Sequence, residues 1–561
     1  MTVYGAIDGS QASDSDHPPP RKASLPSVAT SMKDLLARPW IRVAIVVSLV
    51  LVIALSHHNS SASDPLYLYG TTTDLSAQSE DSHEDFHDEN QELFYDDQLV
   101  NHFNGDTSTW SNRYYKSTNY FKGPGHPIFL VVGGEGSLDK MLYPFVTQHL
   151  APHFGASVIE IEHRFYGPYQ PIMGRDATIP ELIEMLTPQQ AMADMIQLTK
   201  AFKEELGCSQ YDRSSPNYCP VVTVGGSYPG FLSAMFRVVY PDFVDISYAS
   251  SAPLKLYDQT TDQDVYYDIV TKAAEHASEG CADAVRAALE EAKELIEDAS
   301  SVNEAVGSMD VCVDTLPEYI TELKTLSADI MMAIAFSFAG YDMDAYPPGE
   351  ELGLYKACQV FQDEKSSSME KVANFFQLLK GDADEDKDCF DLSIFLPDGD
   401  NARITPSDWS GAGGGNDGKM WDFQLCTTLV DPIGFSEDSM FPTRLWTYDE
   451  LTKYCQLRYG KELIPQPLAL VRNLGFDDLI KQGASRILFT NGLQDMWSGG
   501  SYLEDLSDSI LALNFENGAH HSDLSHVGPS ENDTEDIREG FVKITNILEN
   551  WLDEIKDESE H

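Results

Sequence analysis

TVGGSYPG, residues 223–230, joins an apolar run, CPVVTVGG (219–226), to a second one, PGFLSAMFRVVYP (229–241). The first run is short, rich in valine and closed by glycines, the pattern of a buried strand. The second opens with a proline, which a helix tolerates in its first turn because the missing N–H has no partner there anyway. A strand, a tight turn and a helix with Ser227 at the apex form the arrangement in which a nucleophile elbow presents a hydroxyl. The G-x-S-x-G pattern is imperfect, since Pro229 holds the second glycine position and Gly230 follows it. An idle serine in a glycine turn is the competing reading of these eight residues.

Further strands flank the elbow. HPIFLVVGGEG (126–136) and ASVIEIEHRFYG (156–167) are apolar runs that feed loops, and FVDISYASSAP (243–253) is another. Thr187 and Pro188 supply a helix N-cap and first position, with Met192, Met195, Ile196 and Thr199 on one face. SRILFTNG (485–492) and ILALNFENG (510–518) are later strands, and a helix spans about 535 to 556. The alternation predicts an α/β class, a mostly parallel sheet covered by helices.

Between these two groups the period changes. Val285, Leu289, Ala292 and Ile296 recur at helical spacing, and LPEYITELKTLSADIMMAIAFSFAG (316–340) follows suit. A mainly helical insertion is expected over 256–430, dividing the α/β part into 98–255 and 431–561. The glycine-rich WSGAGGGNDGKMW (409–421) is read as a turn, because no strand and GK[ST] frame it as a phosphate cradle.

The chain has 561 residues, enough for two folded units or one with a large insertion. Its 90 acidic and 37 basic residues give a formal charge of -53, which repels phosphate backbones and argues against nucleic-acid binding. Eight cysteines, all beyond residue 200 and none in a CxxC pair, point to disulfides more than to zinc. RVAIVVSLVLVIAL (42–55) follows Arg38, with Arg21, Lys22 and Lys33 upstream. Residues 42–56 are read as a signal anchor, or else a signal peptide, with 1–41 as a disordered cytosolic or n-region segment and 57–97 as an acidic linker. The expected location is the secretory pathway, as a single-pass membrane or lumenal protein of a lysosome or vacuole or outside the cell. Sequons at Asn59 and Asn532 fit that route.

A serine hydroxyl is a poor nucleophile without a base, so partners are sought downstream in the order Ser, Asp, His. Asp495 in LFTNGLQDMWSGG and His520 in NGAHHSDLS each follow an apolar strand, where loops at strand C-terminal ends carry ligands in open α/β sheets. His521 is adjacent, and His526 and His163 are further alternatives.

With these motifs in hand, the chain resembles the serine carboxypeptidase S28 peptidases, a family with Pro-Xaa carboxypeptidase and dipeptidyl peptidase activities. The resemblance spans about 98 to 550 and rests on QLVNHF, GGEG, EHRFYGPYQP, LTPQQAMAD, GGSYPG, YASSAP, WDFQLCT, NGLQDMWSGG and GAHHSDL. It implies an α/β-hydrolase fold with an inserted helical cap, and a triad of Ser227, Asp495 and His520, with His521 as runner-up. Departures from the family pattern are Pro229 after the elbow tyrosine, Met496 where Asp-Pro-Trp is common, and Thr428 where glutamate often follows the CT block.

The expected activity is serine exopeptidase: hydrolysis of peptide bonds after proline near a peptide terminus, through an acyl-enzyme. Backbone N–H groups of Tyr228 and Gly134 are the expected oxyanion donors, and Glu135 is expected either to bind a substrate ammonium or to organise its loop. No metal or organic cofactor is indicated. Peptides are the expected partners, with the membrane reached through the N-terminal segment if it is uncleaved, and with homodimerisation left open. An esterase or lipase on the same fold and a noncatalytic membrane-anchored ectodomain are the competing functions.

Overall fold

The computed structural model describes residues 91–316, 320–380, 389–392 and 415–560, so the apolar run 42–55 and the Asn59 sequon lie outside it. Its centre is one eight-stranded sheet in the order β1-β2-β4-β3-β5-β6-β7-β8. The strands are β1 (Leu93–Leu99), β2 (Thr109–Ser117), β3 (Ile128–Val132), β4 (Ser157–Ile161), β5 (Val221–Gly226), β6 (Ile246–Ser250), β7 (Ile487–Gly492) and β8 (Ile510–Phe515). From β4 to β8 every pairing is parallel, while β2 runs antiparallel to both β1 and β4. Strand β1 takes in Leu93–Asp97, which the sequence reading assigned to the linker. It is an edge strand with mostly exposed or half-buried residues, so no apolar run announces it.

The principal helices are α1 (Pro188–Glu205), α2 (Tyr228–Val239), α3 (Val265–Ala277), α4 (Cys281–Glu297), α5 (Leu323–Met343), α6 (Gly353–Gln362), α7 (Ser368–Lys380), α8 (Gly415–Leu425), α9 (Tyr448–Tyr459) and α10 (Glu535–Glu560). Side-chain alternation along the buried strands sends Ile128 and Leu130 to one face, against Met195 of α1 and Phe231 and Met235 of α2. Phe129 and Val131 go to the other, against Phe541, Ile544 and Leu548 of α10. Both faces of the central strands are thus buried, which is why they are apolar throughout. This sheet, wrapped by helices and interrupted after β6, is an α/β-hydrolase fold.

Helices α3 to α7 lie between β6 and β7 in the chain and build a separate apolar cluster running from Leu256 to Phe441. Helix α5 is its axis: buried on nearly every side by neighbours α3, α4 and α6, it is apolar all round. Met496 and Trp497, from the far side of the insertion, belong to the same cluster. All eight cysteines pair, as Cys208–Cys219, Cys281–Cys358, Cys312–Cys389 and Cys426–Cys455. The glycine-rich stretch is not simply a turn, because α8 begins at Gly415 and its Asp417 accepts the N–H groups of Ser137 and Gly167 at 2.8 and 2.9 Å.

Candidate active site

Ser227 sits between the last residue of β5 and the first of α2, with φ 59° and ψ −129°. This is a conformation that side chains other than glycine rarely adopt, and it is the strain expected of an elbow that turns its hydroxyl away from the sheet. Two backbone bonds hold it. The Ser227 N–H donates to the Ser250 carbonyl at the end of β6 (2.9 Å), and the Ser227 carbonyl accepts the Phe231 N–H (3.0 Å).

Asp495 follows β7 and is fully buried. One carboxylate oxygen accepts the Trp497 N–H at 3.0 Å, and the other lies 2.9 Å from His520 Nδ1. A carboxylate on Nδ1 fixes the proton there and leaves the Nε2 lone pair for other work. His520 Nε2 is buried and has no hydrogen-bond partner among the described residues.

The adjacent histidine is placed differently. Its ring centre lies 3.7 Å from that of His520, with the planes tilted by 31°, and the ring presses on Gly226, where a Cβ would come within 2.6 Å of it. A glycine is therefore required before the serine. Burial first, and then the His520 charge, hold His521 well below the ordinary imidazole pKa. Asp495 pairs with His520, not with His521, and His526 packs instead on Tyr346.

The loop carrying both histidines is fastened from below by Asp523. Its carboxylate accepts hydroxyl donors from Ser250 (2.7 Å), Tyr248 (2.6 Å) and Thr490 (2.5 Å), on strands β6 and β7. Sequence reasoning missed Asp523. Its only signal was position three residues after His520 in the GAHHSDL block.

On the opposite side of Ser227, Tyr228 opens α2, so its N–H has no partner within the helix. Its hydroxyl lies 3.0 Å from His163 Nε2 and 3.4 Å from the Gln424 amide nitrogen. Desolvation pushes His163 down to about 4, and both of its ring nitrogens are occupied, Nε2 by the Tyr228 hydroxyl and Nδ1 by the Arg164 carbonyl at 2.8 Å. Gly134 packs directly on the elbow: a Cβ there would sit 2.4 Å from Cγ of Pro229. The GGEG loop and the elbow thus meet across Gly134 and Pro229. Glu135 is half-buried. Desolvation pushes its pKa up to about 7, while its own backbone N–H and the charge of His520 oppose that shift.

An elbow serine in a strained turn, a buried aspartate on a histidine, and a glycine loop against the elbow can together carry out acyl transfer. The sequence pattern described as serine carboxypeptidase S28 matches residues 98–541. The chain belongs to the serine carboxypeptidase S28 family. It is a serine-type peptidase, which sets aside the esterase and binding-ectodomain readings. The chain is 29% identical over 468 residues to "Prolyl carboxy peptidase like protein 5" of Caenorhabditis elegans, covering 79% of this chain and 86% of that protein. It is 26% identical over 440 residues to the human "Lysosomal Pro-X carboxypeptidase", covering 78% and 83%. With the mouse "Thymus-specific serine protease" it shares 28% identity over 482 residues, covering 82% and 87%.

In this S28 peptidase the remaining motif blocks are the frame of the site. Arg164 of EHRFYG is fully buried and forks onto Asp194 of LTPQQAMAD with two bonds of 2.6 Å. Gln98 and His102 of QLVNHF reach the same carboxylate at 2.6 and 2.7 Å. Glu162 pairs with Arg113 of β2, and Tyr166 donates to Gln424 of WDFQLCT. In the same block Asp422 holds Arg458, Tyr454 and Tyr459 of α9. Met496, where the family commonly has proline, is a fully buried apolar plug in the helical cluster.

Proposed function

We propose that this chain is a serine exopeptidase that cleaves after proline or another small residue near a peptide terminus, with Ser227 as nucleophile, His520 as general base and Asp495 as the acid that orients it. The observation that carries the assignment is the 2.9 Å contact of His520 Nδ1 with Asp495, which leaves Nε2 unpartnered in a buried site. His520 Nε2 takes the Ser227 proton as Oγ attacks the scissile carbonyl, and Asp495 stabilises the imidazolium. The same proton then goes to the leaving amine, and water attacking the acyl-enzyme returns the serine.

The backbone N–H groups of Tyr228 and Gly134 receive the oxyanion, and losing one such donor typically lowers the rate roughly a hundred- to a thousandfold. Glu135, in the field of His520, either binds a substrate ammonium or organises the GGEG loop. The preference for proline is supported by the relatives named as prolyl and Pro-X carboxypeptidases. Four disulfides, together with a relative named as lysosomal, support maturation in the secretory pathway and residence in a lysosome-like compartment or outside the cell. Residues 42–55 serve there as the signal anchor, and residues 256–430 as the cap that limits access to long chains.

Labelling with a fluorophosphonate probe, wild type against Ser227→Ala, tests the assignment, followed by rates on Xaa-Pro-reporter and peptide-Pro-Xaa substrates. Labelling lost in the variant supports it. A folded wild-type protein that takes no label between acidic and neutral pH sinks it.

A further inference from the structure

Four non-glycine residues with positive φ gather around the elbow: Ser227 (59°), Tyr143 (56°), His521 (55°) and Ser251 (50°). Such a backbone is costly for a bulky side chain and persists where the surroundings over-determine it, commonly at active sites. Ser227 is the nucleophile and His521 adjoins the base, but Tyr143 belongs to neither triad loop. Its conformation is also the least expected of the four, because a residue before proline is ordinarily extended and Pro144 follows it.

The chain holds Tyr143 from both sides. The Leu142 N–H before it donates to Glu160 at 2.6 Å, and the Val146 and Thr147 N–H groups after it both return to the Tyr143 carbonyl, at 2.9 and 3.2 Å. So fixed, the side chain reaches β5, where its hydroxyl accepts the Gly226 N–H at 3.1 Å. The β3–β5 ladder stops at Val131 and Val224, short of Gly226, so the hydroxyl stands in for a strand acceptor. Among the described residues this is the hydroxyl's one hydrogen bond. The edge of the ring also meets His521, with centroids 6.2 Å apart and planes at 82°.

The Tyr143 bond has a counterpart on the other side of Gly226. The peptide plane after Gly226 is held by the Ser227 N–H on the Ser250 carbonyl (2.9 Å), and the plane before it by Tyr143. Peptide planes are rigid, so fixing both leaves Gly226, which has the freest dihedrals in the elbow, one conformation. The direction in which Ser227 points its Oγ is fixed with it. A misplacement of about 1 Å at a reacting atom can cost roughly a hundredfold in rate.

We propose that Tyr143 is a positioning residue for the nucleophile, holding Ser227 Oγ toward His520 through the Gly226 N–H. In this role it touches neither substrate nor the reacting atoms. The role deepens the exopeptidase reading and rests on it, since Ser227 must be the nucleophile.

Tyr143→Phe removes the hydroxyl and keeps the ring. Titration with a fluorophosphonate counts reactive serines, so that kcat on an Xaa-Pro-reporter is expressed per active site. In the variant, kcat per site should fall by about 5- to 150-fold, the span for a buried N–H left without an acceptor, with KM little changed and the labelling rate constant falling in parallel. A merely structural tyrosine would lower the melting temperature and the number of titratable serines but leave each remaining site at the wild-type kcat, and that result overturns the proposal. So does a loss confined to KM.

If Tyr143→Phe does not fold, para-fluorophenylalanine at position 143, which restores the bulk of the hydroxyl but hardly accepts, repeats the comparison. Failure of both to fold makes Tyr143 structural and also overturns it. Should wild type take the label yet cleave no Xaa-Pro or Pro-Xaa substrate, the exopeptidase reading is what has failed, and the labelling rates decide Tyr143: slower in Tyr143→Phe, the role stands; equal, it falls. A folded wild type that takes no label removes the nucleophile itself, and the role of Tyr143 with it.

Discussion

Ser250 is joined to Asp523 by a 2.7 Å hydrogen bond from its hydroxyl, and the same residue's carbonyl receives the Ser227 N–H at 2.9 Å. The end of β6 is thus a common anchor for the elbow and for the histidine loop. Removing the acceptor with Asp523→Ala strands the buried hydroxyls of Ser250 and Thr490, each worth about 1–3 kcal/mol when left unsatisfied, and leaves Tyr248 only the Asp523 backbone carbonyl at 3.3 Å. Urea unfolding should show a loss of that order, with kcat falling more than KM changes. Ser250→Ala should be milder, since Asp523 keeps two donors. Equal stability of Asp523→Ala and wild type would contradict the anchor.

Gly134 and Pro229 form a second contact that can be tested by pairing substitutions. Gly134→Ala forces a methyl group against the proline ring and should lower kcat by roughly a hundredfold if the loop N–H is displaced from the oxyanion. Pro229→Gly removes the obstacle, and the double variant should recover part of the loss. Additive losses in the cycle would mean the two residues act independently.

Asp495→Asn should keep the fold while lowering kcat by about 10⁴, because an amide no longer selects the productive imidazole tautomer. His520→Ala should abolish turnover. His521→Ala should leave measurable turnover, because His521 does not contact Asp495. Rapid fluorophosphonate labelling of His520→Ala would reverse the assignment of the two histidines.

Glu160, the penultimate residue of β4, accepts the Leu142 N–H at 2.6 Å, but its other oxygen is buried without a partner among the described residues. Desolvation pushes its pKa up to about 8 from an ordinary 4.5. The folded protein therefore holds a proton that the unfolded chain releases, so this contribution is full below pH 4.5 and is lost as pH rises through about 8. Glu135, pushed up to about 7, adds a slope of the same sign. Melting temperature should fall from pH 4.5 to pH 8, and Glu160→Gln should flatten the curve. Parallel curves would show that Glu160 titrates normally.

The central strands, the elbow and the order of Ser227, Asp495 and His520 were legible because each is local: an apolar run, a glycine turn, a polar residue just past a strand. The frame was not. His163 reaches Tyr228 across 65 residues and Ser250 reaches Asp523 across 273, and such pairings leave no period in the sequence. Motif blocks such as EHRFYG could be quoted as a resemblance, but only the folded chain reveals Arg164 and Asp194 as their junction. Strands β1 and β2 were missed because their residues are largely polar or half-exposed.

Met496 and Trp497 directly follow Asp495 yet are packed in the cluster built by α3 to α7. The helical layer consequently cannot be treated as an exchangeable module. A chimera that grafted another relative's insertion onto this sheet would leave those two side chains facing foreign partners, and the first group to lose its footing would be Asp495.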